Sequence, residues 1–349
     1  MKNKKKMAGN LIFLFIIFTL TVYGIFHGED LSCVLDATKQ ADYLWLIPAA
    51  VCIFLFIWGE SIILWYMMHS FQIRVKKRTC FLFSSVGFFF SCITPSASGG
   101  QPMQLYYMKK EQISLPVSTV ILMIVTITYK AVLVIVGIGI LLLGQEFLHT
   151  YLEDILPVFY LGIILNIFCV FAMLLLVFHP LLAKTILIKG LEFLECLPFI
   201  KKKEHRLARL NQSMDVYHAT ASYLEEHKKV IAVILLITFI QRFALFSVTW
   251  FVYRAFHLQG TGVFSVILLQ AVISVSVDML PLPGGMGISE TLFLKIFRPV
   301  FGNLLLPGLV LSRGLGYYGE LLISAFFTVI AQLTIGNKQR ETESHSNIN

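Results

Sequence analysis

Charged residues within apolar runs are the part of this sequence that could do chemistry. They are Glu60, Lys130, Arg242, Asp278, Glu290, Arg313 and Glu320. An isolated charge at the centre of a bilayer costs about 2.5–3.5 kcal/mol on insertion scales. These side chains must therefore be paired with one another, hydrated, or close to a membrane interface. Acids and bases are nearly balanced, which permits a nearly neutral network.

Lys130 and Arg313 are the best candidates for binding an anion. Each lies near the middle of an apolar run that follows a Pro/Gly cluster, at a similar distance from that cluster. Two cations brought to one centre favour an anionic ligand, and phosphate is the natural one because lipid head groups carry it. The predicted membrane charge network contains Glu60, Arg242, Asp278 and Glu320, and for Glu60 and Arg242 an ion pair that locks helices together is the alternative interpretation.

The two Pro/Gly clusters resemble each other. The first reads TPSASGGQP from Thr94 to Pro102, and the second reads LPLPGGMG from Leu280 to Gly287. Pro stops a helix and Gly permits positive φ, so each cluster predicts a break that starts a new helix, whose N-terminal amides favour an anion. The alternative is a kink that only packs against its neighbours. The predicted ligand-binding residues are Pro95, Ser96, Ser98, Gly99, Gly100, Gln101, Lys130, Pro283, Gly284, Gly285, Glu290 and Arg313.

The composition predicts an all-α polytopic membrane protein. Of 349 residues, 57% are hydrophobic and 14% are charged, against about 25% charged in soluble domains. The net charge of +8 is a topology signal before it is a nucleic-acid patch. Without a CxxC or HExxH motif, the six cysteines are interpreted as packing residues, and no metal or cofactor is predicted.

Apolar runs and basic clusters together predict the topology. The predicted spans are 11–26, 44–68, 117–143, 155–178, 230–256 and 304–335. Basic clusters place both termini in the cytoplasm. Segments 80–115 and 260–303 must then each return to the side from which they enter, one from the cytoplasm and one from outside. Two re-entrant hairpins of opposite polarity predict an inverted repeat of helices.

The predicted organisation has five parts. Residues 1–43 form an N-terminal helix and external loop, 44–178 the first membrane repeat, 179–229 a cytoplasmic connector, 230–336 the second repeat, and 337–349 a disordered tail. Within the connector, 181–197 could lie on the membrane surface, and 204–229 is interpreted as a polar helix. The alternative for the whole connector is a solvated linker.

The motifs PSASGGQP, LPLPGGMGISE and a later SRG resemble the lysylphosphatidylglycerol synthase transmembrane-region family, also called flippase-like. This is the membrane part of the bacterial multiple peptide resistance factor, and the resemblance covers about 44–335. It implies a bacterial cell membrane location and a role in lipid metabolism and antibiotic resistance. The positions carried over are Pro95, Gly99, Gly100, Pro102, Pro283, Gly284, Gly285, Gly287, Glu290 and Arg313. Lys130 matches less closely, because many relatives carry Arg there.

Three functions follow as hypotheses. The leading one is binding or translocation of an anionic phospholipid or lipid-linked phosphate. The alternative, implied by the resemblance, is a phosphatidylglycerol lysyltransferase that uses lysyl-tRNA, or its membrane subunit. The third is a scaffold that recruits an enzyme. No catalytic residue is predicted, and 179–229 is short for an acyltransferase domain. The expected partners are the lipid, the membrane and a separate soluble enzyme, with no specific nucleic acid.

Overall fold

The computed structural model describes residues 38–142, 145–179 and 205–335, together with residues 36, 182, 184–186, 188 and 189. Helices make up its regular structure, and no strand occurs within these residues. The predicted helix at 11–26, the surface segment 181–197 for the most part, and the tail 337–349 lie outside the described residues.

The first half of the described chain contains six α-helices. They are α1 (Tyr43–Ser70), α2 (Lys77–Cys92), α3 (Gly100–Lys110), α4 (Leu115–Leu142), α5 (Gln145–Tyr151) and α6 (Leu156–Phe178). Helix α1 begins where the Asp42 carboxylate accepts a hydrogen bond from the Leu44 amide at 2.9 Å, a typical N-cap. A short 3₁₀ turn, Pro95–Ala97, separates α2 from α3.

The second half repeats this order after a connecting helix. Its α-helices are α7 (His205–Glu226), α8 (Lys228–Ala255), α9 (Val263–Val277), α10 (Ile288–Ile296), α11 (Arg298–Phe301), α12 (Leu305–Arg313) and α13 (Glu320–Thr334). A 3₁₀ turn, Pro283–Gly285, separates α9 from α10, and a π-helical segment, Gly314–Gly319, joins α12 to α13. This π segment falls on a Gly-rich run inside the last predicted span.

Five helical segments of the described chain are long and apolar enough to cross a membrane: Tyr43–Ser70, Leu115–Leu142, Glu153–Phe178, Lys228–Ala255 and Arg298–Thr334. They confirm the predicted spans that lie within the described residues. Their outward faces carry exposed apolar side chains, among them Phe168, Phe171, Leu236, Ile240, Leu322 and Phe326. Such faces suit a hydrocarbon environment, and the protein is an all-α polytopic membrane protein.

The two halves pack reciprocally. Helices α1 and α8, which open the two halves, pack against each other. Helix α2 packs against α13 at the end of the second half, and α9 packs against α4 late in the first half. Each half thus packs helices against the other half in a matching way, as expected for two related halves around a two-fold axis. The opposite membrane polarity of the halves and the five-part division of the chain stay predictions.

Helix α3 folds back along α2, and α10 folds back along α9, so each Pro/Gly cluster is the tip of a helical hairpin. In the first hairpin, the Gln104 side chain of α3 lies directly against Gly87 of α2. We call 94–99 the first tip and 280–287 the second tip. The side of the membrane from which each hairpin enters stays a prediction.

The predicted polar helix in the connector is α7, and it is more than a solvated linker. Its buried residues Met214, Tyr217, Ala221 and Leu224 recur at helical spacing and face α4 and α6. The Tyr217 hydroxyl donates a hydrogen bond to the Leu176 carbonyl of α6 at 3.1 Å. The apolar stripe of this helix is covered by the membrane helices while its other face is exposed, so the helix is packed as well as solvated; its place in a cytoplasmic connector stays a prediction.

Candidate functional site

A cavity of about 630 Å³ lies where the two tips meet between the membrane helices. The tips contact each other: the Ser96 hydroxyl donates to the Leu280 carbonyl at 3.4 Å. The Tyr317 hydroxyl donates to the Cys92 carbonyl at 2.9 Å, which ties the π segment to the end of α2. Both halves therefore contribute to one central chamber.

The crossing of α1 and α8 delivers two charges to this cavity. Gly59 has no side chain, so Gln241 lies close against the α1 backbone and donates a hydrogen bond to the Phe56 carbonyl at 2.8 Å. Next to these two residues, Glu60 and Arg242 line the cavity. The close approach that glycine allows thus brings a carboxylate and a guanidinium from different halves into one chamber.

Lys130 and Asp278 form an ion pair between α4 and the end of α9. Both side chains are about nine-tenths buried, with 10% of each exposed. Asp278 neutralises Lys130 across the boundary between the halves. These two charges are therefore tolerated among the membrane helices because they are paired with each other.

Arg313 and Glu290 form a second ion pair, which we call the latch of the second tip. The Arg313 Nε donates to Glu290 Oε1 at 2.7 Å, and a terminal nitrogen donates to the Gly284 carbonyl at 3.1 Å. Glu290 Oε2 accepts from the Gly287 amide at 2.7 Å and from the Ser289 hydroxyl at 2.9 Å. These bonds fasten the second tip to α10 and α12.

The latch bears on one expectation. The start of α10 was expected to present free amides to an anion, and the amide of Gly287 there is already bonded to the Glu290 carboxylate. A carboxylate three residues into a helix is well placed to reach back to the amide that precedes it. Glu290 therefore acts as the anion of its own helix N-terminus.

Arg242 is held differently from Lys130 and Arg313. Its guanidinium carbon lies 3.5 Å from the centroid of the Tyr129 ring and 4.9 Å from that of Phe56. Within the described part of the chain, no ion pair within 4.0 Å involves Arg242, and its buried Nε has no hydrogen-bond partner. The alternative interpretation of Glu60 and Arg242, an ion pair that locks helices together, therefore finds no support among the ion pairs of the described residues.

Two carboxylates line the cavity together with Arg242, Glu60 from α1 and Glu320 from α13. Glu60 Oε1 accepts a hydrogen bond from Gln104 Nε2 at 2.7 Å. The Cys92 thiol lies 3.6 Å from Glu320 Oε1. Neutral donors thus hold both carboxylates beside the guanidinium.

The cavity gathers many, but not all, of the predicted residues. It is lined by Ser96, Ser98, Gln101, Lys130, Gly284, Gly285 and Arg313, and by the whole predicted charge network, Glu60, Arg242, Asp278 and Glu320. Pro95, Gly99, Gly100, Pro283 and Glu290 are not among the lining residues. Ligand binding by any of these side chains stays a prediction.

The glycines at the end of the first tip and the start of α3 have a packing role. A Cβ on Gly100 would collide with the Ser91 hydroxyl and would lie 2.7 Å from the Gly87 carbonyl of α2. A Cβ on Gly99 would lie 2.6 Å from the Thr94 side chain. These glycines let α3 start close against α2 and Thr94, and a close approach of their backbone to a ligand stays a prediction.

The Gly-Gly pairs of the two tips are not structurally equivalent. Both turns begin at a Pro, Pro95 and Pro283, and in each turn the next two residues have left-handed backbone. In the first tip these residues are Ser96 and Ala97, whereas in the second they are Gly284 and Gly285. Matching the tips by their glycines was therefore wrong by three residues.

Several lining residues were not predicted from the sequence. Tyr129 stacks on Arg242, Thr126 accepts a hydrogen bond from Gln101, and the Thr249 hydroxyl donates to Gln270 at 3.0 Å. Each is a polar or aromatic residue in an apolar helix, a common pattern in helix packing as well. Only Tyr129 offered a signal, since it adjoins Lys130.

The fold and the cavity define a multi-pass membrane protein with a charged chamber between two hairpin tips. The chain belongs to the family described as the lysylphosphatidylglycerol synthase TM region, whose model matches residues 7–324. This match confirms the resemblance drawn from the two tips. Among curated proteins, none matches the chain.

Proposed function

We propose that the protein binds an anionic phospholipid or a lipid-linked phosphate in the cavity and moves the head group across the membrane. The observation that carries this proposal is the concentration of charge there, because six charged side chains line one chamber between membrane helices: Glu60, Lys130, Arg242, Asp278, Arg313 and Glu320. Intramembrane ionisable residues are costly, and those that persist usually line a substrate or ion path.

The size and the walls of the chamber support a lipid head group. A volume of about 630 Å³ lies within the usual range of small-molecule sites, about 300–1,000 Å³. Non-helical backbone at membrane depth is tolerated where it lines a cavity, and both tips supply such backbone. Movement of one tip against the other would expose the chamber alternately, as in transporters built from inverted repeats.

Lipid movement by the purified protein tests this proposal. Proteoliposomes would contain head-labelled phosphatidylglycerol or, separately, head-labelled phosphatidylcholine, and a membrane-impermeant quencher would report the lipid that crosses. We expect phosphatidylglycerol to cross faster than in protein-free liposomes and faster than phosphatidylcholine. Equal rates for both lipids, or rates no higher than those of protein-free liposomes, would overturn the proposal.

A matched pair of lysine variants sharpens this test. Lys130→Met leaves Asp278 as an uncompensated negative charge in the chamber, so transport of an anionic lipid should fall. Lys39→Met is the control, because Lys39 also pairs with an aspartate, Asp36 at 2.9 Å, but on the exposed surface. Elution of both variants as single symmetric peaks would confirm that they fold. Equal transport by the two would count against the chamber as the path.

A second function is favoured by one observation, the family description itself, which names lysylphosphatidylglycerol synthase. In this alternative the chain is the membrane part of a phosphatidylglycerol lysyltransferase. Purified protein given lysyl-tRNA and phosphatidylglycerol distinguishes the two functions. We expect no lysyl-phosphatidylglycerol from this chain alone; robust synthesis would replace the transport proposal, and synthesis only with an added soluble enzyme would support a two-part synthase.

A further inference from the structure

We propose that Arg242, and not Lys130 or Arg313, is the cation that contacts the phosphate, and that the site prefers a singly charged phosphodiester. This inference rests on the proposed function and names the residue and the head-group class within the same chamber. It reverses the ranking that the sequence favours, in which Lys130 and Arg313 bind the anion.

The first step is that two of the three cations lining the chamber already have ionic partners. Lys130 is paired with Asp278, and the Arg313 side chain is divided between Glu290 and the Gly284 carbonyl. A phosphate that bound either cation would have to displace a carboxylate held at hydrogen-bonding distance. Breaking such a buried pair leaves an uncompensated charge, which is strongly unfavourable.

The second step is that Arg242 is positioned without being saturated. The Tyr129 ring, 3.5 Å from the guanidinium carbon, and the Phe56 ring, at 4.9 Å, contact the cation. Rings that contact the flat face of a guanidinium leave the N–H groups along its edge able to donate hydrogen bonds. The Nε atom is buried and has no hydrogen-bond partner.

The terminal nitrogens of Arg242 are not among the fully buried atoms and make no hydrogen bond to the described residues, so they remain accessible from the chamber that Arg242 lines. The fork of an arginine binds two phosphate oxygens at once. No carboxylate of the described chain forms an ion pair with Arg242 within 4.0 Å, so the component that it lacks is an acceptor at hydrogen-bonding distance. That component is what the proposed substrate would supply.

The third step concerns the charge of the head group. After Lys130 is paired with Asp278 and Arg313 with Glu290, the other charged groups that line the chamber with Arg242 are the carboxylates Glu60 and Glu320. Two carboxylates beside one guanidinium repel a second negative charge on the ligand. A phosphomonoester carries about −1.5 to −2 at pH 7, whereas a phosphodiester carries a single charge. The local charge therefore favours the phosphodiester.

The test measures lipid binding by the purified full chain in detergent, with fluorescent phosphatidylglycerol as the probe. Arg242→Gln should weaken binding by roughly tenfold to a hundredfold, the usual loss for one charge-assisted contact. Arg242→Lys keeps the charge but loses the fork, so it should recover binding only in part. If Arg242→Gln fails to fold, Arg242→Lys alone decides the matter, since binding equal to that of wild type would contradict the inference.

The same helix offers a matched control. Arg254 also lies on α8 and over aromatic rings, 5.2 Å from the Trp45 centroid and 5.9 Å from that of Trp250, but it does not line the cavity. Arg254→Gln should leave the affinity for phosphatidylglycerol unchanged. An equal loss in both variants would show that the effect of Arg242 is a general effect of losing a stacked arginine, and would overturn the inference.

The outcomes separate this inference from the proposed function. If wild type prefers phosphatidylglycerol to phosphatidylcholine and Arg242→Gln does the same with equal affinity, the inference fails and the proposed function stands. If wild type shows no preference for the anionic lipid, both fail. Phosphatidic acid, a phosphomonoester, should bind wild type more weakly than phosphatidylglycerol at pH 7; equal or tighter binding would overturn the preference for a phosphodiester.

Discussion

The two hairpin tips share a backbone but differ in how they are fastened. In each, a Pro starts a 3₁₀ turn and two left-handed residues follow, with φ of 50° and 53° at Ser96 and Ala97 and of 56° and 66° at Gly284 and Gly285. The backbone follows the same path in both tips although the residues differ. The hairpin therefore requires this backbone geometry. In the first tip, Ser and Ala must adopt a conformation that glycine adopts freely.

Charge fastens the second tip, and neutral hydrogen bonds fasten the first. The second tip is held by the Arg313–Glu290 latch, whereas in the first the Thr94 hydroxyl accepts from the Gly99 amide at 2.9 Å and donates to the Phe90 carbonyl at 2.6 Å. Ser96, Ala97 and Ser98 are exposed, while Pro283, Gly285 and Met286 are buried. The comparison predicts that the first tip opens at lower cost, which makes it the moving side of the chamber.

Breaking the latch should have the largest effect. Glu290→Ala leaves Arg313 without its carboxylate and the Gly287 amide without its acceptor, and loss of one partner of a buried pair costs about 3–5 kcal/mol. The thermal unfolding midpoint of the detergent-purified protein should fall accordingly. Thr119→Ala is the control and should shift the midpoint little, because the hydroxyl of this partly buried residue bonds to the backbone of its own helix. An unfolding midpoint unchanged by Glu290→Ala would show that the Arg313–Glu290 pair does not stabilise the second tip.

Adding a methyl group to the left-handed turn of the second tip should come next. A Cβ on Gly284 would collide with the Tyr317 ring, and φ there is 56°. Overpacking of this kind costs about 1–3 kcal/mol, so Gly284→Ala should lower the unfolding midpoint, though less than Glu290→Ala does. The matched change is Gly139→Ala in α4, where a Cβ meets nothing within 4 Å. Equal midpoints for these two glycine variants would argue against a tightly packed second tip.

The smallest effect is expected at the first tip. Thr94→Val removes the hydroxyl that bridges Gly99 and Phe90, at a net cost of about 0.5–1.5 kcal/mol per hydrogen bond lost. Hydrogen exchange of the Gly99 amide should accelerate, while exchange across the second tip should stay unchanged. Faster exchange at the second tip than at the first in the wild-type protein would reverse the comparison between them.

Much of the fold follows from hydropathy, because spans 44–68, 117–143, 155–178 and 230–256 are long apolar runs with few alternatives in a membrane. The buried face of α7 could also have been predicted, since Met214, Tyr217, Ala221 and Leu224 recur with helical spacing. Its polar composition favoured a solvated connector instead. The composition of α7 thus gave no sign of its buried face, which the helical spacing of its apolar residues indicates.

Much of the site could not be predicted, for a physical reason. The Lys130–Asp278 pair joins residues 148 positions apart, and a single sequence says which charges lie in the membrane but not which will meet. The register of the tips was missed because Ser96 and Ala97 adopt a left-handed backbone conformation. Sequence reasoning assigns that conformation to glycine, since other residues rarely adopt it. Arg242 was placed in the charge network and not among the predicted ligand-binding residues, because nothing in the sequence shows that its partners would be aromatic rings.

The central claim is that an anionic lipid enters the chamber between the tips, and photocrosslinking tests it most directly. A photoreactive residue at Thr126, which lines the cavity, is compared with one at Phe168 on α6, which faces outward with 67% of its surface exposed. In membranes of mixed lipids, the account predicts that position 126 captures phosphatidylglycerol in clear excess over its share of the bilayer, while position 168 captures lipids in bulk proportion. No lipid at position 126, or the same mixture at both positions, would contradict the account.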